Sequence, residues 1–411
     1  MRTGTLVICL LALGIFINYV DRGNLSTASP VLKNEFNLNA TQIGLLTSAF
    51  SWTYVAAMPL AGWLSEKIGG YRTLALGLAI WSLATLLTGF AGGFAAILVL
   101  RLVLGIGESA AFPCSSKIIA ERVEPRRLGL ANSMMSLGLS LGPAFGVFFG
   151  GHLIAQTGWR WLFLLFGGVS LAWLVPWIAL TWRTPSHHQI DGGSGRSVSF
   201  LEIVGRLEFW GLSIAHLAGN YGFYFVISWL PLYLTQVHHL SMARMGNLSG
   251  FIYLAYAAAA AIGALATDAW VSSGATHGTA RKTIAAVSML AAAFGLVVTA
   301  LGADKVAVAG LFIAAVGLGA VSPHIFASAQ RLAGPRAIGR WMGLQNCLGN
   351  FSGIVGPLIT GYLIDKTGGF TSAFVLTAVV SLAGLVGWLV MIRRIEPLTW
   401  GASPPAENLS L

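Results

Sequence analysis

Two pairs of charged residues lie where the chain is otherwise apolar. Asp21 adjoins Arg22 at the end of the first apolar run, and Arg101 stands seven residues ahead of Glu108 in a later one. Seven residues make two helical turns, so Arg101 and Glu108 share a helix face, roughly 10 Å apart along the axis. Asp21 and Arg22 are adjacent and point about 100° apart, so neither has to neutralise the other. A charge at the centre of a bilayer costs several kcal/mol, and such side chains face a partner or a wet cavity. The chemistry on offer is carriage. An arginine's planar fork takes a carboxylate by two parallel hydrogen bonds. An acid beside an arginine in apolar surroundings feels opposing influences on its proton, as a group that must take up and release one requires. At this level two readings stand for Arg22, a fixed cation for a substrate carboxylate or a permanent ion pair with Asp21 or Glu108. Asp21 and Glu108 are either proton-coupling acids or halves of structural ion pairs, and Arg101 divides the same way.

Polar side chains in other apolar runs are candidate substrate contacts. Tyr19 precedes Arg22 by three residues and shares its face. His216, Asn220, Tyr221 and Tyr224 follow one another in the seventh run, where Asn220 and Tyr224 are i,i+4 neighbours suited to a hydroxyl-rich ligand or to an interhelical hydrogen bond. His324 follows Pro323, which predicts a kink that aims the ring inward; a buried histidine satisfied by the protein is the alternative. Gln345 and Asn346 adjoin in a glycine-rich run, and at least one is expected to face a cavity.

The elements that position these groups follow from composition. The chain has 411 residues, 56% hydrophobic and 9% charged, against about 25% charged in soluble domains. It reads as an all-α integral membrane protein, because long apolar runs of ~20 residues span a bilayer only as helices. Twelve spans are expected: 4–23, 42–65, 72–92, 94–118, 127–154, 160–181, 208–236, 246–270, 281–302, 305–331, 338–364 and 371–393. The first is expected to be retained, since it runs on into Tyr19–Arg22 with no small-residue cleavage site. A polar, Gly/Ser-rich stretch separates six spans from six. The expected organisation is a six-helix bundle at 1–181, a cytoplasmic linker at 182–207 with a short interfacial helix near 200–208, a second bundle at 208–394, and a disordered tail at 395–411. Gly142-Pro143 recurs 214 residues later as Gly356-Pro357, which fits two same-direction halves related by an axis along the membrane normal. With both termini cytoplasmic, 17 of the 24 Lys and Arg residues fall inside and 5 outside, Arg22 and Arg101 being intramembrane. Cys9, Cys114 and Cys347 are read as small core residues without disulfides. Gly105, Gly107, Gly138 and Gly142 are expected at close helix contacts. Asn39-Ala-Thr41 fits a glycosylation acceptor pattern, which is also common by chance.

The segment Gly62-Trp-Leu-Ser-Glu66-Lys67-Ile-Gly-Gly-Tyr-Arg72 resembles the Gly-x-x-x-Asp-Arg-x-Gly-x-Arg motif of the major facilitator superfamily. Glu-Lys replaces Asp-Arg with signs kept, and one extra residue precedes the last arginine. Tyr19-Val-Asp-Arg-Gly-Asn24 and Arg101…Glu108-Ser-Ala-Ala-Phe-Pro113 resemble that superfamily's anion:cation symporter branch, which contains bacterial hexonate and hexuronate carriers, sialin and vesicular glutamate transporters. The resemblance implies the major facilitator fold, two pseudo-symmetric six-helix bundles, over essentially the whole chain. It implies proton-coupling roles for Asp21 and Glu108, substrate carboxylate binding by Arg22 and charge balance by Arg101. Tyr54, in Phe50-Ser-Trp-Thr-Tyr54, and Asn346 match polar site positions of galactonate-type carriers. Leu139 stands where those carriers have a glutamine, and Ser322-Pro-His324 also departs, so the resemblance points to an organic anion more firmly than to a hexonate. Gly62, Glu66, Lys67 and Arg72, with Asp268, read as a conformational latch at the cytoplasmic ends.

Enzymatic chemistry is not indicated. There is no nucleotide-binding glycine loop, no HExxH and no paired His/Cys cluster, so no cofactor or metal is expected. The basic residues are scattered over short loops, which argues against nucleic acid as the partner of a chain of net charge +10. The expectation is a monomeric secondary transporter, surrounded by lipid in a bacterial inner membrane, importing a small organic anion with protons by alternating access. Its rivals are proton-coupled export of a metabolite or drug, a non-transporting sensor on a carrier fold and, more weakly, a channel, which the lack of a charged ring disfavours.

Overall fold

The structure is a computed structural model that describes residues 2–123, 128–181 and 198–400. The described chain is helical nearly throughout. The first half holds α1 (Arg2–Glu35), α2 (Ala40–Ile68), α3 (Gly70–Thr88), α4 (Phe94–Glu108), α5 (Ala111–Arg122), α6 (Leu128–Thr157) and α7 (Trp159–Thr181). A short α8 (Phe200–Val204), capped by the Ser199 hydroxyl, lies within the stretch 200–208 where a short helix is expected. The second half follows as α9 (Leu207–Gln236), α10 (Met242–Ser272), α11 (His277–Leu301), α12 (Asp304–Thr367) and α13 (Thr371–Val386). Residues 182–197 of the expected linker and 401–411 of the expected tail lie outside the described residues.

Eleven stretches among the described residues are long and apolar enough to cross a bilayer. The remaining expected span, the seventh, is α9, which has 30 residues, about 45 Å at 1.5 Å per residue. It is long enough; His216, Asn220 and its tyrosines dilute its apolar character.

One expected boundary is corrected. The first helix continues twelve residues past the expected end at 23, to Glu35, so Asp21 and Arg22 sit in its middle. The fourth span is a single crossing, Phe94–Ile119, as expected, interrupted within it between α4 and α5. Pro113 has no N–H for the Ser109 carbonyl, and the chain turns at Ser109–Ala110, directly after Glu108. The expected division between the tenth and eleventh spans holds: Asp304–Gly334 and Ala337–Thr367 are the two limbs of α12 and meet at Gly334. That residue has φ 63° and ψ 177°, a conformation closed to side-chain-bearing residues. It is the only residue inside α12 with non-helical dihedrals, so the helix runs on through Pro323.

The halves share one apolar core at the end remote from the linker. There Leu25, Leu46 and Phe163 belong to the same cluster as Trp229, Tyr253 and Leu318. At the linker end the cores are separate. Leu11, Trp81 and Trp177 cluster within the first half, and Phe209, Trp341 and Trp388 within the second. Hydrogen bonding follows the same division: Asp365 of α12 accepts from the Ala40 and Thr41 backbone N–H groups and the Thr41 hydroxyl, at 2.9, 2.7 and 2.6 Å. These are the only hydrogen bonds between the halves among the described residues. Asn39, the first residue of the glycosylation-like pattern, caps α2 by accepting from the Gln42 N–H.

Only Cys114 is a core residue; Cys9 and Cys347 are exposed. The expected disordered tail is ordered through Trp400. Ile395 and Trp400 are buried, and the Leu398 N–H and Trp400 Nε1 donate to the carbonyls of Leu332 and Ala333.

Candidate functional site

Helix contacts set the position of every charged group in the site. Gly105 of α4 lies against α2, where a Cβ would come 2.3 Å from the Phe50 carbonyl oxygen and Thr53 Oγ1. Glycine lets the two backbones touch, and Thr53 Oγ1 donates to the Leu102 carbonyl at 2.7 Å. Gly107 meets α3, and Gly138 and Gly142 meet α1, as expected. These contacts bring α1, α2 and α4 together around Arg22.

Arg22 Nε donates to Glu108 Oε2 at 2.8 Å, with both residues in the interior. The guanidinium lies 4.6 Å from the Tyr19 ring centroid, 4.6 Å from Tyr54 and 5.0 Å from Phe50. Each ring presents its negative face to a desolvated cation, an arrangement worth about 1–2 kcal/mol apiece. Arg101 lies 5.3 Å from the centroid of the same Phe50 ring. Its Nε, one terminal nitrogen of Arg22 and Glu108 Oε1 are buried without a hydrogen-bond partner. Unpaired buried groups of this kind cost about 1–3 kcal/mol each. Three of them fall on neighbouring charged side chains, and the buried Asn18 amide beside Glu108 is also unpaired.

Asp21 is turned elsewhere. It accepts from Asn24 Nδ2 at 3.0 Å and from the Ser170 hydroxyl of α7 at 3.1 Å. It thus holds no arginine, and it lines a separate crevice of about 560 Å³ between α1, α6 and α7. The 100° between neighbours on a helix is what separates the two acids.

The second half contributes neutral groups. Tyr224 of α9 donates to Asn350 Oδ1 at 3.0 Å, and Asn350 Nδ2 donates to the Asn346 carbonyl at 2.9 Å. Arg22, Arg101, Phe50, Ser51 and Tyr224 surround a chamber of about 30 Å³, room for a water or two. A carboxylate ligand of any size therefore needs the halves to part here.

Of the expected contacts, Tyr19, Arg22, Tyr54, Arg101, Glu108 and Tyr224 come together, and Asn346 and Asn220 are half-buried on the facing helices. Gln345 and His324 do not join them. Gln345 is fully buried, accepting from Trp341 Nε1 at 2.7 Å and meeting His216 Nδ1 at 3.4 Å. His324 is 2% exposed, with Nε2 at 3.5 Å from the Thr267 hydroxyl, the satisfied buried histidine of the alternative reading. Asn350 escaped notice in the sequence, although its i,i+4 spacing from Asn346 was the available signal. At the linker end of α2, Gly62 has open space around its Cα. Lys67 lies over the Trp63 ring at 4.9 Å, and among the described residues no ion pair joins Glu66, Lys67 and Arg72. The bond that crosses from α5 to that end is Lys117 Nζ to the Ser65 carbonyl, 2.7 Å. No group of three or more metal-binding side chain types occurs among the described residues.

Comparisons with known proteins agree with this architecture. The family model described as Major Facilitator Superfamily matches residues 11–357 and 308–410. A chloroplastic ascorbate transporter of Arabidopsis thaliana is 28% identical over 401 residues, 93% of this chain and 74% of its own. The hexuronate transporter of Bacillus subtilis is 27% identical over 417 residues, covering 98% and 97% of the two chains. A probable sulfoacetate transporter of Cupriavidus necator is 27% identical, covering 98% and 96%. Among solved structures, a bacterial homologue of the human lysosomal transporter Spinster, inward-facing and occupied, superposes with a TM-score of 0.79 at 19% identity, over 95% of this chain and 97% of that one. This chain, an integral membrane protein built on the same fold, belongs to the Major Facilitator Superfamily.

Proposed function

We propose that this protein imports a small organic anion, a sugar acid or similar carboxylate, together with protons. The observation that carries the reading is Arg22, caged by three aromatic rings and held by Glu108 through one nitrogen while another stays unpaired. Relatives named for hexuronate, sulfoacetate and ascorbate transport support the substrate class.

The coupling follows from charge. With Arg22 and Arg101 cationic and Asp21 and Glu108 ionised, the buried site is neutral. A monoanion entering alone would leave one uncompensated negative charge in low dielectric, which is costly. A proton on Glu108 restores neutrality and frees the Arg22 fork, which then takes the substrate carboxylate by two hydrogen bonds. Arg22 thus holds one carboxylate or the other. Tyr224, Asn350 and Asn346 receive the hydroxyls of the solute from the opposite half. One proton per monoanion moves no net charge; a second, on Asp21, would add about 2.3 kcal/mol of driving energy per 100 mV.

Alternating access uses the closure remote from the linker, where Asp365 bridges to α2. Its release, with approach of the linker ends, would expose Arg22 to the opposite side. The test is uptake by proteoliposomes under an imposed proton gradient, with sugar acids, acidic amino acids and aromatic acids compared. Symport predicts accumulation that tracks the gradient and acidification of the lumen. Alkalinisation during uptake would mean exchange, and pH-independent movement would remove the proton from the scheme.

A further inference from the structure

At the linker face of the second half, away from the Arg22 site, lies a second concave site of about 440 Å³. It is lined by the start of α11, the end of the first limb of α12 and the chain beyond the last span. Lys282, Arg331, Arg393 and Arg394 give it four cations, against one carboxylate, Glu396. Among the described residues none of the four forms an ion pair. Lys282 Nζ donates to the Ile392 carbonyl at 2.6 Å and Arg331 Nε to the Ile395 carbonyl at 3.1 Å. Those bonds fix both cations in place while the remaining donors stay unassigned. The Nδ1 of His277 in the same wall is buried without a partner. Asp268 is the other acid in electrostatic reach, acting on His277 and Arg281.

Four cations around one hollow, two of them held in place by the Ile392 and Ile395 carbonyls, repel one another unless an anion enters, and donors around a concavity suit a tetrahedral phosphate oxyanion. The position selects the source. Leu389 and Val390, three to five residues before Arg393 and Arg394, are 50% and 68% exposed at the end of the last span. Acyl chains can run along them while the phosphate occupies the basic hollow. Basic hollows between helix ends are the usual seats of anionic headgroups. We infer that this hollow binds the phosphate of an anionic phospholipid. The bound headgroup tacks the segment after Ile392 to α11 and to α12 just before the Gly334 turn, where Leu398 and Trp400 already bond.

The test uses full-length protein in nanodiscs of phosphatidylcholine alone or doped with phosphatidylglycerol, and measures the unfolding midpoint and the binding of labelled phosphatidylglycerol. The variants are Arg393→Gln with Arg394→Gln, neither of which makes a side-chain hydrogen bond among the described residues, and Lys305→Gln with Lys366→Gln as a charge-matched control at the opposite face. Phosphatidylglycerol is expected to raise the midpoint of wild type where phosphatidylcholine does not. Loss of the two arginines is expected to weaken labelled-lipid binding roughly thirtyfold, with the control unchanged. Equal weakening in both double variants would reduce the effect to net charge and overturn the site. Full stabilisation by millimolar inorganic phosphate in lipid-free detergent, with nothing added by the lipid, would make it a free-anion site and overturn the lipid assignment.

Discussion

The two halves of this carrier repeat a six-helix plan but differ in what they bring to the centre. The first supplies all the charge there: Arg22 bonded to Glu108, Arg101 beside Phe50, and Asp21 turned toward α7. The second supplies only neutral groups, Tyr224, Asn350 and Asn346 from α9 and α12; its acids and bases lie at helix ends, as Asp365 does at the far closure. The difference teaches a division of labour. Under the proposed function, charge exchange between proton and carboxylate would take place within the first bundle, while the facing bundle would read the rest of the solute. Were charge shared across the cleft, every opening would break ion pairs in low dielectric, at several kcal/mol each.

The comparison can be broken most sharply at Arg22. Arg22→Ala is expected to lose substrate binding by about 10²–10⁴-fold, the worth of two charge-assisted hydrogen bonds, while Arg22→Lys restores charge without the fork and recovers only part. Calorimetry checks both, and unchanged affinity in Arg22→Ala would remove the residue from the site. Next in size, Glu108→Gln is expected to abolish gradient-driven uptake but to keep counterflow, because the amide leaves Arg22 free whatever the pH. On the neutral side, Tyr224→Phe and Asn350→Ala are expected to raise KM about 3–10-fold, the scale of single neutral hydrogen bonds, and to leave the response to pH unchanged; a changed pH response would mean that the second half takes part in coupling. Smallest of all is His324→Gln, away from the chamber and from the Trp341–Gln345–His216 contacts. It is expected to keep KM within about twofold, the scale of a substitution that touches no substrate group, checked by initial uptake rates.

The charged centre was legible in the sequence because an acid or an arginine in an apolar run is too costly to persist without a partner or a wet cavity. The spans and the two halves followed from run length and the Gly-Pro echo. What was not legible depends on rotation about helix axes. Asp21 and Arg22 diverge because α7 places Ser170 beside one of them, and Ser170 lies 149 residues away along the chain. Gln345 is adjacent to Asn346, yet it faces Trp341 and His216 inside its own bundle. Its i,i+4 relation to Trp341 was a readable sign of that, as the spacing of Asn350 from Asn346 was a sign of the residue overlooked. The extent of α1 escaped because Ser26, Thr27 and Ser29 look like loop residues. Their hydroxyls are satisfied by carbonyls three or four residues back in the same helix.

The central claim, that Glu108 and the substrate carboxylate compete for Arg22, is tested most directly by calorimetry of the best-stabilising acid across a range of pH and in buffers of different ionisation enthalpy. Wild type should bind more tightly as pH falls and take up protons on binding, whereas Glu108→Gln should bind with a flatter pH dependence and take up fewer. Binding to wild type without proton uptake, or an undiminished pH dependence in Glu108→Gln, would contradict it.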